Sequence, residues 1–223
     1  MNQVEDAIIL AGGMGTRMLP ASRYTSKEML PLVDTPILNH LIWESIYAGV
    51  KRVHLVVSPL KYELLKELMN NKNKISDKIR EDLPRISLNA IPEGVELMFH
   101  IQKYPGGVGE AISTALEEIK GPFLVLLGDN ILLDKFNSPI NSGPQHASTG
   151  CKKLVDFFMK TNLPCAAIKK IPFEELSKYG VVELNNGLIE KIIEKPDITY
   201  VESDLVLCGR YLLPSNYKEI LKL

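Results

Sequence analysis

Short apolar runs alternate with amphipathic stretches along most of this chain. Ile8, Ile9 and Leu10 form an apolar run of strand length, rooted at Ala7 and broken by Gly12, Gly13 and Gly15. From Pro36 to Ala48 the positions Ile37, Leu38, Leu41, Ile42 and Ile46 recur at helical spacing, with Pro36 near the first helical position and Gly49 as a stop. Arg52 to Val57 is rich in β-branched residues and predicts a second strand, and Leu60 to Met69 predicts a second amphipathic helix. The polar run Asn70 to Asp82 reads as a solvated face or extension. It is followed by a strand near Val95 to Ile101, a helix from about Gly109 to Ile119 and a strongly apolar strand at Phe123 to Leu127.

Asn137 to Gly150 carries loop residues in a stretch longer than a simple connection needs. Helical spacing resumes at Lys153 to Lys160, and Cys165 to Ile171 predicts a strand. Val181 to Leu184 and Leu188 to Ile193 flank Asn185-Asn186-Gly187, a hairpin signal. A last strand at Leu205 to Leu212 leads to the start of a helix near Ser215. Strands alternating with helices predict an α/β protein with mostly parallel central strands, a class that binds ligands at the carboxyl ends of its strands.

The chain has 223 residues, enough for one large domain with a substantial core, and its 45% hydrophobic content is ordinary for a globular protein. A formal charge of −1 argues against a general nucleic-acid surface or an anionic-membrane surface, so any polyanion must be met by cations gathered locally. Three cysteines, Cys151, Cys165 and Cys208, lack metal-ligand spacing and suit reduced buried thiols in a cytoplasmic protein. Met1 leads within eight residues into the first strand, which leaves no room for a signal peptide, and no apolar run reaches membrane-spanning length.

The candidate chemistry starts where the first strand ends. Glycines there permit positive φ and let backbone N–H groups converge on phosphate oxygens; Thr16 adds a hydroxyl, Arg17 a planar fork and Lys27 a mobile charge. The same glycines read equally well as a plain turn. A Walker loop is excluded because Thr16-Arg17 follows Gly15. A dinucleotide fingerprint, and with it an oxidoreductase, is disfavoured by Met18 where a third glycine is needed. Gln102 precedes a second glycine cluster, Gly106-Gly107-Val108-Gly109; its carboxamide can match N3–H and O4 of uracil, although by composition it is a surface glutamine. Asp129 ends the run FLVLLG and would emerge at the carboxyl edge of the sheet, or simply cap a turn. Glu194-Lys195 taken alone is a charged strand end.

In combination these residues resemble a family. Gly13-x-Gly15-Thr16-Arg17-x-Leu19-Pro20 and Lys27-Glu28-Met29-Leu30-Pro31-Leu32-x-Asp34-x-Pro36 are similar to the signature of sugar-1-phosphate nucleotidylyltransferases, in particular the bacterial and archaeal glucose-1-phosphate uridylyltransferases. The resemblance covers nearly the whole chain and implies a Rossmann-like three-layer α/β/α nucleotidyltransferase fold with a mixed, mainly parallel central sheet. It implies that Ala11, Gly12, Gly13, Gly15, Thr16, Gln102 and Gly107 bind the nucleotide and that Arg17 and Lys27 are catalytic. It further implies that Gly180, Glu194 and Lys195 bind the sugar phosphate and that Asp129 ligates Mg2+. UTP and glucose 1-phosphate would be the substrates, UDP-glucose and pyrophosphate the products, and the protein a cytoplasmic homo-oligomer. Thymidylyltransferase is the nearest rival, because a glutamine reads thymine and uracil alike, and a noncatalytic binding module of the same fold is a further alternative. Three positions depart from the pattern: Val108 stands for leucine, Glu110 for histidine and Asp204 for asparagine. The family's second metal-binding aspartate, in an Asp-x-Gly turn, has no counterpart. The expectation is therefore a single domain over residues 1–223 that lacks the family's carboxyl-terminal end, or a metal held by Asp129 and phosphates alone.

Overall fold

The computed structural model describes residues 3–32, 35–70, 94–134, 148–217 and 219. Its elements follow the apolar pattern: β1 (Asp6–Leu10), the two-residue strands β2 (Pro31–Leu32) and β3 (Thr35–Pro36), α1 (Ile37–Tyr47), β4 (Arg52–Val57), α2 (Pro59–Asn70), β5 (Glu96–Ile101), α3 (Gly107–Ser113), β6 (Phe123–Leu127), α4 (Gly150–Thr161), β7 (Cys165–Lys170), β8 (Gly180–Asn185), β9 (Leu188–Glu194) and β10 (Leu205–Leu213). The principal sheet runs β5-β4-β1-β6-β10-β8-β9, with β7 also paired to β10. β5, β4, β1 and β6 are parallel, whereas β10 is antiparallel to β6, so the sheet is mixed around a parallel centre, as expected.

Alternation along β1 separates two cores. Ala7 and Ile9 face one side with Leu38, Leu41 and Ile42 of α1, Leu65 of α2 and Leu154 and Phe158 of α4; Ile8 faces the other with Ala111 and Ile112 of α3. Helices on both faces explain why the central strands are continuous apolar runs. At the Asn186-Gly187 turn both residues take positive φ, 52° and 78°, which gives the hairpin the twist its strands require.

Two expectations are modified. The helix expected over Gly109 to Ile119 opens at Gly107 and stays regular only to Ser113, then tightens into i→i+3 turns such as Ala115 N–H to Ile112 C=O at 3.1 Å. The hydroxyls of Ser113 and Thr114 donate to Gly109 and Ala111 carbonyls at 2.9 and 2.7 Å, and such bonds compete with the helical ladder. Cys165 is half-buried rather than buried; all three cysteines are free, and burial pushes their thiols up, that of Cys165 to about 11, which keeps them protonated. The helix expected near Ser215 begins as a turn at Ser215 and Asn216 that leads into helical Tyr217 and Glu219, with Tyr217 N–H donating to the Pro214 carbonyl and Glu219 N–H to the Asn216 carbonyl, each at 3.0 Å, while most of the stretches Asn70 to Asp82 and Asn137 to Gly150 lie outside the described residues.

β10 joins the two halves of the sheet. Its second half pairs with β6 and its first half with β8, while β7 runs along its other edge with a register shift. At the changeover Gly209 takes φ +65°, and a Cβ there would lie 3.1 Å from both Leu127 and Asn130. The next residue, Arg210, is fully buried and grips Glu44 of α1 through Nε at 3.1 Å and Nη2 at 2.8 Å, with Nη2 also donating to the Asn130 carbonyl at 2.8 Å. Glu44 in turn accepts from Cys151 N–H at the start of α4, at 3.2 Å.

A second polar network closes the amino ends of the parallel strands. Arg52 forks onto both oxygens of Asp6 at 2.7 and 2.9 Å, and His54 Nε2 lies 3.1 Å from the same carboxylate. Because a carboxylate can only accept, that nitrogen carries the hydrogen. His54 Nδ1 meets His100 Nε2 at 3.0 Å. His54, His100 and Glu118 bring three ligand-type atoms within 4.8 Å of one another, and the hydrogen bonds within the network account for the contact between the rings. Burial raises Asp6, but the bonds from His54 and Arg52 outweigh it and hold the carboxyl far below its ordinary value.

Glu44→Ala strands the Arg210 guanidinium in the core and is expected to cost about 3–5 kcal/mol, read by urea denaturation; a smaller cost in Glu44→Ala with Arg210→Met would identify the unpaired charge as the cause. Burial, then the neighbouring His54, lowers His100 below its ordinary 6.5. The unfolded chain then takes a proton that the folded one refuses, so the stability His100 contributes is intact above that value and is lost as pH falls through the folded pKa. The melting temperature should fall between about pH 7 and about pH 5, and His100→Gln should flatten that slope.

Candidate active site

β1 delivers its chain to the carboxyl edge of the sheet, where the glycine loop is pinned from within. Ala11 is fully buried; its N–H donates to Val56 at 2.8 Å and its carbonyl accepts from Lys61 Nζ at 2.9 Å. The same ammonium takes the Gly13 carbonyl at 2.5 Å and both oxygens of Glu28 at 3.1 and 2.8 Å. Lys61 is 8% exposed and Glu28 is fully buried, with Ser26 Oγ donating to the Glu28 carboxylate. Burial draws the Lys61 ammonium below its ordinary pKa, and the Glu28 hydrogen bond opposes that shift. Two of the loop's carbonyls are thereby satisfied from within the protein.

The loop is glycine for reasons of space. A Cβ on Gly12 would lie 2.7 Å from Gln102 Oε1, and one on Gly13 would lie 3.2 Å from Lys27 Nζ. Gly15 takes φ +70° under the side chains of Lys27 and Ser22, and Ser22 Oγ donates to its carbonyl at 2.7 Å. Thr16 is exposed in the 3₁₀ turn Thr16–Met18; Arg17 lies in the same turn, and its side chain is outside the described residues.

Lys27 ties the loop to the end of the neighbouring strand, β6. Its Nζ donates to Asp129 Oδ2 at 2.7 Å and lies 3.9 Å from Glu28. Asp129 follows β6, the strand beside β1, and its side chain is 54% exposed, so it emerges at the carboxyl edge as expected. Mg2+ takes few protein oxygens together with phosphate oxygens and water, and one half-exposed carboxylate beside a glycine loop fits that donor set.

Gln102 follows β5, yet its side chain reaches over the end of β4 to Gly12, where Ser58 N also lies 3.8 Å from the virtual Cβ. Its Nε2 donates to the Glu110 carboxylate and, at 3.4 Å, to the Gly107 carbonyl. Gly107 opens α3 at φ +87°, and a Cβ there would have no neighbour within 4 Å.

The hairpin supplies a separate group. Gly180 pairs with Glu194, whose Oε2 lies 3.1 Å from where a Gly180 Cβ would sit, and Leu207 of β10 lies 3.4 Å from the same point. Lys195 takes φ +46°, donates its N–H to Tyr179 at 3.0 Å and holds Nζ 3.5 Å from Glu194. β10 leaves β6 at Gly209, so Leu207 and the Gly180–Glu194 pair beside it stand just beyond the carboxyl end of β6. Loop, Lys27–Asp129 pair, Gln102 and hairpin therefore share one edge of the sheet.

Sequence reasoning assigned no role to Lys61, Glu28, Glu44 or Arg210. Lys61 alone carried a signal: a lysine in the first turn of α2 opposes the helix dipole and so calls for another partner.

A glycine loop, a lysine–aspartate pair and a glutamine gather at one edge of an α/β sheet, and the chain belongs to the nucleotidyl transferase family, whose model matches residues 6–222. It is 32% identical over 232 aligned positions to a UTP–glucose-1-phosphate uridylyltransferase of Streptococcus pyogenes, spanning 100% of this chain and 73% of that protein. It is similar to a crystal structure of UDP-glucose pyrophosphorylase complexed with UDP-glucose, with TM-score 0.77 and 29% identity over 99% of this chain and 80% of that one. A UTP-bound UGPase from Acinetobacter baumannii superposes with TM-score 0.81 at 26% identity, covering 99% of this chain and 78% of that one.

Gly12→Ala should leave the melting temperature nearly unchanged, since the atom its methyl meets is the far end of a flexible side chain. Displacement of Gln102 should instead weaken nucleotide binding by roughly tenfold or more, measured by calorimetry.

Proposed function

We propose that this chain transfers the uridylyl group of UTP to glucose 1-phosphate, releasing pyrophosphate and forming UDP-glucose. The observation that carries this reading is the Lys27 ammonium, set between the glycine loop and the Asp129 carboxylate at the sheet edge. A phosphate oxygen of the sugar bonds to the α-phosphorus in line as the bond to the bridging oxygen breaks, and that electron pair leaves with pyrophosphate. The nucleophile is already an anion near neutral pH, so the task is to hold two polyanions together against repulsion rather than to remove a proton.

In this reading the loop from Gly12 to Gly15, with Thr16, holds the nucleotide phosphates through its N–H groups, Ala11 anchors it from the buried side with its own N–H on Val56, and Arg17 adds a fork to the phosphates. Gln102 reads the base edge beside Gly12, with Gly107 at its margin. Gly180 allows close approach of the sugar, Glu194 accepts from its hydroxyls and Lys195 pairs with its phosphate. Lys27 steadies the charge that develops on the transferring phosphoryl group. Asp129 would hold a divalent ion, Mg2+ by its preference for oxygen donors, and that ion would neutralise phosphate charge. A cytoplasmic setting is supported by the three free thiols, and assembly as a homo-oligomer by the family resemblance.

The test is pyrophosphate release across a panel of nucleoside triphosphates and sugar 1-phosphates, with magnesium and with chelator. UTP with glucose 1-phosphate should be the fastest pair; a faster reaction with dTTP would favour a thymidylyltransferase, and no release from any pair would favour a noncatalytic module. Lys27→Ala should slow turnover by at least roughly a hundredfold, given ~3 kcal/mol for one preorganised contact to developing charge, while circular dichroism stays native. Near wild-type turnover would remove Lys27 from the mechanism.

A further inference from the structure

Glu110, which stands where the family pattern has histidine, is partly buried on α3 and lies directly over Gly106, where a Cβ would meet its Cβ and Cγ at 2.9 Å. Its carboxylate accepts from Gln102 Nε2. An ionised carboxylate has no hydrogen to give, so only the NH2 end of the carboxamide can face it; a histidine or glutamine in that place could serve either end. The Gln102 oxygen is thereby turned to the other side, over Gly12 at the margin of the phosphate loop. Among the described residues the second hydrogen on Nε2 is engaged only by the 3.4 Å contact to the Gly107 carbonyl, a long bond that a ligand oxygen can replace.

We propose that Glu110 is a specificity-determining positioning residue: by fixing the Gln102 carboxamide with its oxygen toward the loop, it makes the site select bases that offer a ring N–H beside a carbonyl and reject those that offer a ring-nitrogen lone pair. This rests on Gln102 facing the base, as in the reading above. Uracil and thymine present N3–H beside O4, which meets an acceptor and the spare amide hydrogen. Cytosine presents an N3 lone pair beside an amine, so both positions are mismatched against an amide that Glu110 prevents from flipping. Guanine carries the same donor–acceptor pair as uracil, so the comparison that isolates the amide is UTP against CTP, nearly equal in size and alike in charge.

The test is equilibrium binding of UTP and CTP by calorimetry to the wild-type chain, to Glu110→Gln and to Glu110→Ala, alongside kcat/KM with each nucleotide. Wild type should prefer UTP by roughly a hundredfold or more, and both variants should bring the ratio to within about tenfold, because the amide can then present either end. A change in the ratio is something that general loosening of the site would not produce. Wild type binding UTP and CTP alike, or variants that weaken both nucleotides by one common factor, would overturn the proposal. Preferential UTP binding that Glu110→Gln abolishes, in a protein that forms no UDP-sugar, would sustain this inference while removing the catalytic function proposed above.

Discussion

The glycine loop after β1 depends on a buried lysine that satisfies two of its carbonyls. Lys61 takes the carbonyls of Ala11 and Gly13 from beneath, and Glu28 balances its charge. An ammonium this deep would be costly alone, and so would the carboxylate; each is tolerable because the other and the backbone complete its hydrogen bonds. The segment that carries Glu28 also carries Lys27, so the contact that shapes the loop from inside fixes where the outward-facing cation stands. The two adjacent residues thus divide the work between the floor of the site and its mouth.

The branched sheet sets the rest of the geometry. Gly209 lets β10 leave β6 and take β8 as a neighbour, which carries the hairpin past the end of the parallel strands instead of away from them. Arg210 anchors that departure to α1, to the start of α4 through Glu44, and to the turn that holds Asp129 and Asn130. A buried ion pair of this kind is weak evidence for stability, because its desolvation offsets much of its attraction; its directional bonds instead fix which turn lies where. The sheet is finished differently at its two ends. At the amino ends Arg52, Asp6, His54 and His100 satisfy one another and close the edge, while at the carboxyl ends glycine, lysine, aspartate and glutamine gather.

The order of strands and helices was legible because burial on two faces imposes continuous apolar strands and one-sided helices, and β4 and β6 appear at the bounds the pattern predicts. The hairpin was legible through Asn186-Gly187, residues that accept positive φ. The end of α3 was not, because Ser113 and Thr114 compete for carbonyls in a way that hydrophobic spacing does not record. Of the site, the glycines, Lys27, Gln102, Asp129 and Lys195 stood out as residue types with chemistry to perform, and a family motif ordered them.

By itself the sequence determined which residues are apolar at which period, where turns are allowed and which side chains can meet a phosphate, a base edge or a metal; these are properties of single residues and near neighbours. Only the tertiary structure decided that Lys61 serves the loop rather than solvent, that Gln102 crosses the end of β4 to reach Gly12, and that Glu110 dictates which end of its amide faces the site. The first two depend on contacts between segments far apart in the chain, and the third on how α3 folds back over the end of β5. The energy of a buried charge or an oriented amide is set by what surrounds it in space, not by what precedes it in sequence.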